Sequence, residues 1–180
     1  MNRFIIFFLL VSLNSNSQEL LQKKWNLNTE QSYISYQGKH ILHQWSGTSK
    51  NVKGVLIMEN NRPTKTAIIS AIKDFDSGNS SRDSHAMEIM EALLFPDVSF
   101  YGESFTLNND KFMILGKIKF HSIYKEINVS GDWDQTKERI ILKGGFSVKP
   151  SDFDIKLPDF MLVKMENNLE IEYELIFQQE

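Results

Sequence analysis

The sequence predicts an all-β fold, an eight-stranded antiparallel barrel with one short helix between strands 3 and 4. Two observations carry this prediction. Apolar and polar residues alternate with a period of two in several segments, most clearly over residues 169–178, as in strands with one dry and one wet face. Glycines stand inside the strand patterns, as at Gly116 and Gly144, where a barrel needs bends. The alternation is also typical of a β-sandwich, so periodicity by itself leaves both architectures open.

Three strands are predicted before the helix, at residues 33–36, 52–58 and 66–72. These segments are rich in β-branched and aromatic residues, which fit the pleated surface of a sheet. The run Glu-Asn-Asn-Arg-Pro at residues 59–63 has the composition of a turn and separates the second strand from the third.

The helix is predicted over residues 83–94, where alanine, methionine and leucine recur at helical spacing. Ser81 or Asp83 is expected to cap its first turn, because short oxygen-bearing side chains accept hydrogen bonds from unpaired backbone N–H groups. Pro96 is expected to end the helix, since proline cannot continue it.

Five more strands are predicted after the helix, at residues 98–107, 112–120, 127–133, 139–148 and 169–177. An eight-stranded barrel has an interior just wide enough to be filled by side chains or to hold one slender ligand. The sequence does not distinguish a filled barrel from a hollow one, because both need apolar inward faces.

The N-terminus has the three-part pattern of a secretory signal peptide. Arg3 gives a positive start, residues 4–13 are almost entirely apolar, and Asn-Ser-Asn-Ser follows at residues 14–17. The apolar run is too short for a membrane span, which needs about 20 residues. We therefore expect a signal peptide over residues 1–17, a single domain over residues 18–180, and a periplasmic or secreted protein without a membrane span.

The composition excludes several classes of function. The chain has no cysteine, which excludes disulfides, thiolate zinc sites and cysteine nucleophiles. The formal net charge is -3 and no basic run occurs, so the sequence lacks the positive patch on which nucleic-acid binding depends. We therefore expect no nucleic-acid partner.

Three stretches of the sequence resemble one known protein family. In the middle stretch, residues 75–79 read Phe-Asp-Ser-Gly-Asn, residues 82–85 read Arg-Asp-Ser-His, and residues 95–100 read Phe-Pro-Asp-Val-Ser-Phe. This combination of a strand end, a Gly-Asn turn, a helix start and a Pro-led strand is the most specific of the three. It resembles the corresponding stretch of the YceI-like, polyisoprenoid-binding family.

The two other stretches are weaker alone, and they extend the resemblance over nearly all of the chain after the signal peptide. One runs from Trp-Asn-Leu at residues 25–27 through Ser-Tyr-Ile-Ser-Tyr at 32–36 to Lys-His at 39–40. The other runs over residues 115–127 and residues 145–155.

The resemblance implies a lipocalin-like barrel whose apolar interior takes a polyprenyl chain, in a family whose members are mostly periplasmic or secreted. It implies a carrier of an isoprenoid or another long-chain lipid, so we expect no enzyme activity and no cofactor. Ser122 departs from the family, which usually has glycine after the histidine of this turn, and it is expected to disturb the turn mildly.

The expected ligand-binding residues are mainly aromatic and aliphatic side chains of the inward strand faces. Arg82 and His85 are included because an arginine beside a helix N-terminus suits the polar head of a lipid, a phosphate above all. The alternative for this motif is structural, with Asp83 capping the helix and Arg82 pairing with a carboxylate or bonding turn carbonyls. The predicted ligand-binding residues are Tyr36, Trp45, Arg82, His85, Phe100, Phe112, Ile114, Ile118, Phe120, Phe146 and Tyr173.

Other functions have weaker signals. His40, His43, His85 and His121 could in principle hold a metal, but no carboxylate stands at a ligand-like spacing, so no metal site is expected. His40 and His43 would face opposite sides of a strand unless a turn brings them together. The main alternative function is a filled barrel that acts as a protein-interaction or stress-response module without bound lipid. A homodimer is compatible with both functions.

Overall fold

The computed structural model describes residues 22–160 and 163–179, so the predicted signal peptide lies outside the described residues. Within them, α-helix α1 (Ser80–Ile89) lies between the sixth and seventh strands, and short 3₁₀ segments lie at Ile72–Asp74 and Pro150–Phe153. The strands, in chain order, are β1 (Gln22–Leu27), β2 (Tyr33–His40), β3 (His43–Ser49), β4 (Val52–Glu59), β5 (Arg62–Ala71), β6 (Phe75–Asp76), β7 (Asp97–Asn108), β8 (Lys111–Phe120), β9 (Ile123–Gln135), β10 (Arg139–Val148), β11 (Asp159–Phe160), β12 (Val163–Lys164) and β13 (Leu169–Gln179).

Eight of these strands form a closed antiparallel barrel. Their order is β1-β4-β5-β7-β8-β9-β10-β13, and β1 pairs with β13 to close the ring. At this seam Leu27 lies opposite Phe177, while Asn26 lies opposite Val55 of β4 on the other side of the strand. The predicted all-β, eight-stranded antiparallel barrel is therefore confirmed, and the sandwich is excluded.

The first predicted strand takes a different place from the one expected. β2, which contains residues 33–36, pairs with β13 beyond β1, so two short strands share one long partner. β3 returns from β2 through a two-residue turn, and β6 pairs with the last residues of β3. The prediction missed β1, β3 and β6 because they are short or mostly polar and show no clean alternation, and it also missed the two-residue strands β11 and β12.

The helix differs from the prediction in position and in its cap. It follows the sixth strand rather than the third, because the three unrecognised strands precede it. Its N-cap is Asn79 rather than Ser81 or Asp83, and the Asn79 side-chain oxygen accepts a hydrogen bond from the backbone N–H of Arg82 at 3.1 Å. Asp83 instead accepts a hydrogen bond from the backbone N–H of Ser77 at 3.2 Å, which ties α1 to the end of β6.

The helix also ends earlier than predicted, at Ile89, seven residues before the proline. Glu91 has a φ of 46°, and its carbonyl accepts hydrogen bonds from the backbone N–H groups of Leu94 and Phe95. A residue in this left-handed region ends the α-helical hydrogen-bond pattern. Leu93 and Leu94, expected inside the helix, therefore lie in the following turn. In the part of the chain that the structure describes, no helix has the length and apolar character of a membrane span.

The barrel has two unlike ends. At one of them, called here the helix end, lie α1, the β2–β3 turn at residues 41–42 and the β8–β9 turn at residues 121–122. At the other, called the closed end, lie the turns at residues 60–61, 109–110 and 136–138. Large buried side chains pack together inside the closed end. They are Trp25, Leu56, Met58, Trp133 and Ile140.

Candidate functional site

A cavity of about 270 Å³ lies inside the barrel, between the packed side chains of the closed end and α1. Its lining combines strand residues with residues of α1 and of the segment before β13. All of the residues predicted to bind ligand line this cavity: Tyr36, Trp45, Arg82, His85, Phe100, Phe112, Ile114, Ile118, Phe120, Phe146 and Tyr173. The structure thus brings the predicted residues together, and their contact with a ligand stays a prediction.

Strand alternation places most of the wall. On β8, Phe112, Ile114, Ile118 and Phe120 are buried and line the cavity, because side chains two residues apart share a face of the strand. β13 contributes a second continuous stripe from the opposite wall. It consists of Leu169, Ile171, Tyr173, Leu175 and Phe177.

The sequence missed wall residues on α1 and between β10 and β13. The second segment lies outside every predicted strand, and its apolar residues recur at positions 153, 155 and 157, which is the signal that could have found it. The missed lining residues of α1 are Asp83, Ala86, Met87, Ile89 and Met90. Those of the second segment are Pro150, Ile155, Leu157, Pro158 and Met165.

Two glycines of the β2–β3 hairpin make room for two aromatic wall residues. Gly47 lies opposite Tyr36, and Gly38 lies opposite Trp45. A Cβ at Gly47 would lie 2.5 Å from the Tyr36 ring, and a Cβ at Gly38 would lie 2.7 Å from the Trp45 ring. Each ring therefore covers the glycine across from it, and its position depends on the missing Cβ.

The hydroxyl groups deep in the wall are bonded within the protein. The Thr66 hydroxyl donates to the carbonyl oxygen of Val55 at 2.8 Å, and the Ser70 hydroxyl donates to the hydroxyl oxygen of Ser49 at 2.8 Å. The Tyr173 hydroxyl donates to a backbone carbonyl of β9 at 3.3 Å, and burial raises the pKa of Tyr173. Because these groups are satisfied without a ligand, the deep cavity offers a bound molecule an apolar surface.

The charged groups of the lining lie at the helix end. Arg82, Asp83 and His85 belong to the first half of α1, and His85 is largely exposed, with Nδ1 3.7 Å from the Glu88 carboxylate. Among the described residues, the Arg82 guanidinium has no ion-pair partner. Burial raises the pKa of Tyr36, the Asp83 carboxylate raises it further, and the Arg82 guanidinium acts in the opposite direction. A cavity that is apolar in depth and has charged side chains, Arg82 among them, at one end suits a molecule with a long apolar chain and a polar head.

The four histidines lie at three places in the fold. His40 and His43 face each other across the β2–β3 turn, with ring centroids 5.5 Å apart, so the turn brings together two residues that a straight strand would separate. His121 lies on the β8–β9 turn and contacts Glu91, while His85 lies on α1. Within residues 22–160 and 163–179, no group of three histidine, aspartate or glutamate side chains converges as metal ligands.

Comparison with protein families decides the family of this chain. The model of the YceI-like domain matches residues 25–177. The chain belongs to the YceI-like family. The match runs from β1 to β13, so it includes every strand of the closed ring and the whole cavity. The resemblance carried by the motifs at residues 75–100 is confirmed.

Solved structures similar to this YceI-like chain share its fold. BcnA of Burkholderia cenocepacia is 14% identical, with a TM-score of 0.74, and the alignment covers 83% of this chain and 98% of that chain. A polyisoprenoid binding domain from Saccharophagus degradans, implicated in plant cell wall breakdown, is 9% identical, with a TM-score of 0.72 and coverage of 87% and 98%. The YCEI protein of Campylobacter jejuni is 22% identical, with a TM-score of 0.60 and coverage of 74% and 85%. No curated protein matches the sequence.

Proposed function

We propose that this YceI-like domain binds one polyisoprenoid, or a similar long-chain lipid, inside its barrel and acts by binding rather than by catalysis. The observation that carries the proposal is the cavity itself. Its deep wall is apolar, its closed end is filled by packed side chains, and its charged groups lie at the helix end. A neighbour of the same fold, the domain from Saccharophagus degradans, is described as polyisoprenoid binding.

The affinity for such a ligand would come mainly from its chain. Each methylene group that moves from water into an apolar site contributes about 0.8 kcal/mol, so a chain of many carbons binds tightly without polar contacts. The deep hydroxyl groups of Thr66, Ser70 and Tyr173 are already bonded within the protein, so they add no demand for a polar ligand. We therefore expect chain length to matter more than the chemistry of the chain.

The proposed position of the ligand's polar head is beside Arg82. The guanidinium lines the cavity at the helix end and has no ion-pair partner among the described residues, so it can pair with a phosphate. Replacing Arg82 by Met should weaken binding of a prenyl phosphate by about tenfold to a hundredfold, the loss of a charged hydrogen bond, and should leave binding of the prenyl alcohol unchanged. Arg139→Gln, at the closed end of the barrel, is the control. Equal losses for phosphate and alcohol would remove Arg82 from the head-group site.

The proposed place of action is outside the cytoplasm, in the periplasm or the medium. The support is the signal-peptide pattern of residues 1–17. N-terminal sequencing of the protein recovered from its cells tests this proposal. A first residue near position 18 is expected, and an intact N-terminus in the cytoplasmic fraction would contradict export.

Native mass spectrometry of the protein purified without detergent tests the proposed ligand. The expected result is one discrete added mass, which solvent extraction then identifies as a prenyl lipid or another long-chain lipid. A mass equal to that of the polypeptide, unchanged after incubation with prenyl lipids, would contradict the proposal.

Two matched variants test whether the cavity holds the lipid. Phe100→Ala removes a ring from the cavity wall and should reduce lipid retention without unfolding the barrel. Ile140→Val trims a buried side chain of the closed end that does not line the cavity, so it should cost about 1 kcal/mol of stability without reducing retention. Equal retention in the wild type and in Phe100→Ala would remove this wall from the site.

A second candidate function has one observation in its favour. Large apolar side chains are exposed on the outer face of the neighbouring strands β7 and β8, at Tyr101, Met113 and Leu115. Such a strip is typical of surfaces that contact another protein. If the cavity stays empty in the mass-spectrometry experiment, a protein-interaction or stress-response module becomes the better function, and a homodimer, which the sequence leaves open, would use this strip.

A further inference from the structure

Exposed apolar residues stand on two turns at the helix end of the barrel. Ile41 and Leu42, at the tip of the β2–β3 hairpin, are 75% and 64% exposed. Leu93 and Leu94, in the turn after α1, are 101% and 71% exposed. The turns of the closed end are polar by contrast, with the sequences Asn-Asn, Asn-Asp and Thr-Lys-Glu. Exposing four such side chains to water is costly, so their position on turns of the helix end, while the described turns of the closed end are polar, points to a surface that covers them.

The two apolar turns belong to different connections at the helix end of the barrel. The turn with Leu93 and Leu94 belongs to the connection between β5 and β7, and a hydrogen bond from the Ile72 N–H to the Pro96 carbonyl at 2.8 Å closes that connection. Going round the ring from there, β8, β9, β10 and β13 come before the β2–β3 hairpin. The lining residues of α1 lie at this same end. A surface that covers both turns would therefore face the opening of the cavity.

The charged groups near the two turns are of both signs, and beside Leu93 and Leu94 the acidic Glu88, Glu91 and Asp97 outnumber the one lysine, Lys73. The Lys39 ammonium lies 3.1 Å from the Glu166 carboxylate, next to the β2–β3 turn. The His121 ring lies 2.8 Å from the Glu91 carboxylate, next to the turn after α1. Neither turn stands in a basic patch, so an anionic membrane offers no added attraction. A neutral, zwitterionic lipid surface is the partner that matches apolar tips without a basic patch around them.

We propose that the helix end docks on a neutral lipid bilayer, with Ile41–Leu42 and Leu93–Leu94 entering the interfacial layer and the cavity facing the lipid. The inference rests on the proposed function, because a long-chain lipid must leave a membrane before it enters the cavity. Apolar side chains at the mouth shorten the path of that lipid through water. Two separate apolar points around a mouth fit a broad, fluid surface, whereas one groove in a protein partner would need them side by side.

Flotation with phosphatidylcholine vesicles tests the docking directly. The double variants Ile41→Asn with Leu42→Asn, and Leu93→Gln with Leu94→Gln, should each reduce the vesicle-bound fraction by about tenfold, given the apolar area removed. Met113→Gln with Leu115→Gln is the matched control, because both side chains are exposed on the outer wall of β8 and away from the mouth. Circular dichroism checks that every variant is folded.

Transfer of a prenyl alcohol from the same vesicles separates this inference from the proposed function. The turn variants should take up the lipid more slowly from vesicles, yet retain as much of it as the wild type when it is supplied by detergent dilution. Flotation that is absent in the wild type, equal in the turn variants, equally lost in the wall control or dependent on anionic lipid would each overturn the docking surface. Lack of retention in every protein, with flotation intact, would overturn the proposed ligand and leave the docking surface standing.

Discussion

The Nε2 atom of His121 lies 2.8 Å from the carboxylate of Glu91, which joins the β8–β9 turn to the turn that follows α1. The other ring nitrogen of His121 lies 2.9 Å from the carbonyl oxygen of Phe153. The Phe95 ring packs edge-on against the imidazole, with centroids 4.3 Å apart. One side chain thus holds three segments of the rim in place around the cavity.

Replacing His121 by Ala should therefore lower the free energy of unfolding by about 1–3 kcal/mol, because two hydrogen bonds and a ring contact are lost together. Urea denaturation followed by circular dichroism measures the change. The control is Glu88→Ala, which removes an exposed carboxylate 3.7 Å from His85 and should change stability by less than about 0.5 kcal/mol. Similar values for the two variants would show that His121 does not hold the rim.

The glycine beneath Tyr36 gives a prediction on the cavity itself. A Cβ at Gly47 would lie 2.5 Å from the Tyr36 ring, so Gly47→Ala should push that ring out of its place in the wall. We expect several-fold weaker retention of a prenyl lipid and a loss of stability of about 1–3 kcal/mol, the usual cost of overpacking. Lipid retention and urea denaturation are measured on the same preparations. Ser46→Ala, an exposed change on the same strand, should leave both quantities unchanged, and parallel losses there would contradict the assignment.

The β8–β9 turn carries backbone strain that a single substitution can relieve. His121 and Ser122 both have positive φ angles, 47° and 66°, which is the geometry of a two-residue turn of the type favoured in hairpins. Glycine adopts this region readily, whereas other L-residues are strained there. Ser122→Gly should therefore raise the free energy of unfolding by about 1 kcal/mol, while Ser122→Ala should not raise it. A destabilised glycine variant, measured by urea denaturation, would show that the serine side chain stabilises the turn.

Two tyrosines predict a fall of stability in alkaline solution. Burial raises the pKa values of Tyr36 and Tyr173, so the folded state keeps protons that the unfolded chain loses at a pH of about 10. Their contribution to stability is fully present below that pH and is lost as the pH rises through the folded-state values. Denaturation curves between about pH 9 and pH 11 should show a falling free energy of unfolding. Absorbance at alkaline pH should show that Tyr36 and Tyr173 ionise at a higher pH than free tyrosine. Tyr173→Phe should flatten the pH dependence, and an unchanged slope would contradict the role of Tyr173.

Much of the wall of the site could be predicted from the sequence, because the alternation of apolar and polar residues in a strand indicates which side chains point inward. Phe112, Ile114, Ile118 and Phe120 recur at even positions and all line the cavity. The helix was harder to bound, since the N-cap depends on one local hydrogen bond and Asn79 competes with two other suitable side chains. Propensity ranks such residues nearly equally, so only the tertiary position of the turn selects one of them.

The missed strands have a different cause. β6 has only two residues, and most residues of β3 are exposed or half-buried. Neither sequence therefore shows an alternation of apolar and polar residues that distinguishes it from a loop. β3 is a strand because it folds back on β2 as a hairpin, and β6 is a strand because the end of β3 supplies its hydrogen bonds, as at the pair of Ser49 and Phe75. The wall residues Ile155 and Leu157 were missed because their alternation with Phe153 is short and lies between two prolines, in a stretch that has the composition of a loop.

The sharing of β13 by β1 and β2 has a consequence for the order of folding. β1 closes the ring only through residues about 150 positions away, at pairs such as Leu27 with Phe177. Hairpins such as β7–β8 can form from neighbours in the chain, but the ring cannot close before β13 has been synthesised. The cavity inside the barrel therefore forms late and in one step. A lipid present earlier would meet an open sheet with an exposed apolar face. Binding of a lipid to the open sheet would compete with aggregation of that sheet. The proposed lipid can therefore enter an intact barrel only after the whole chain has been made.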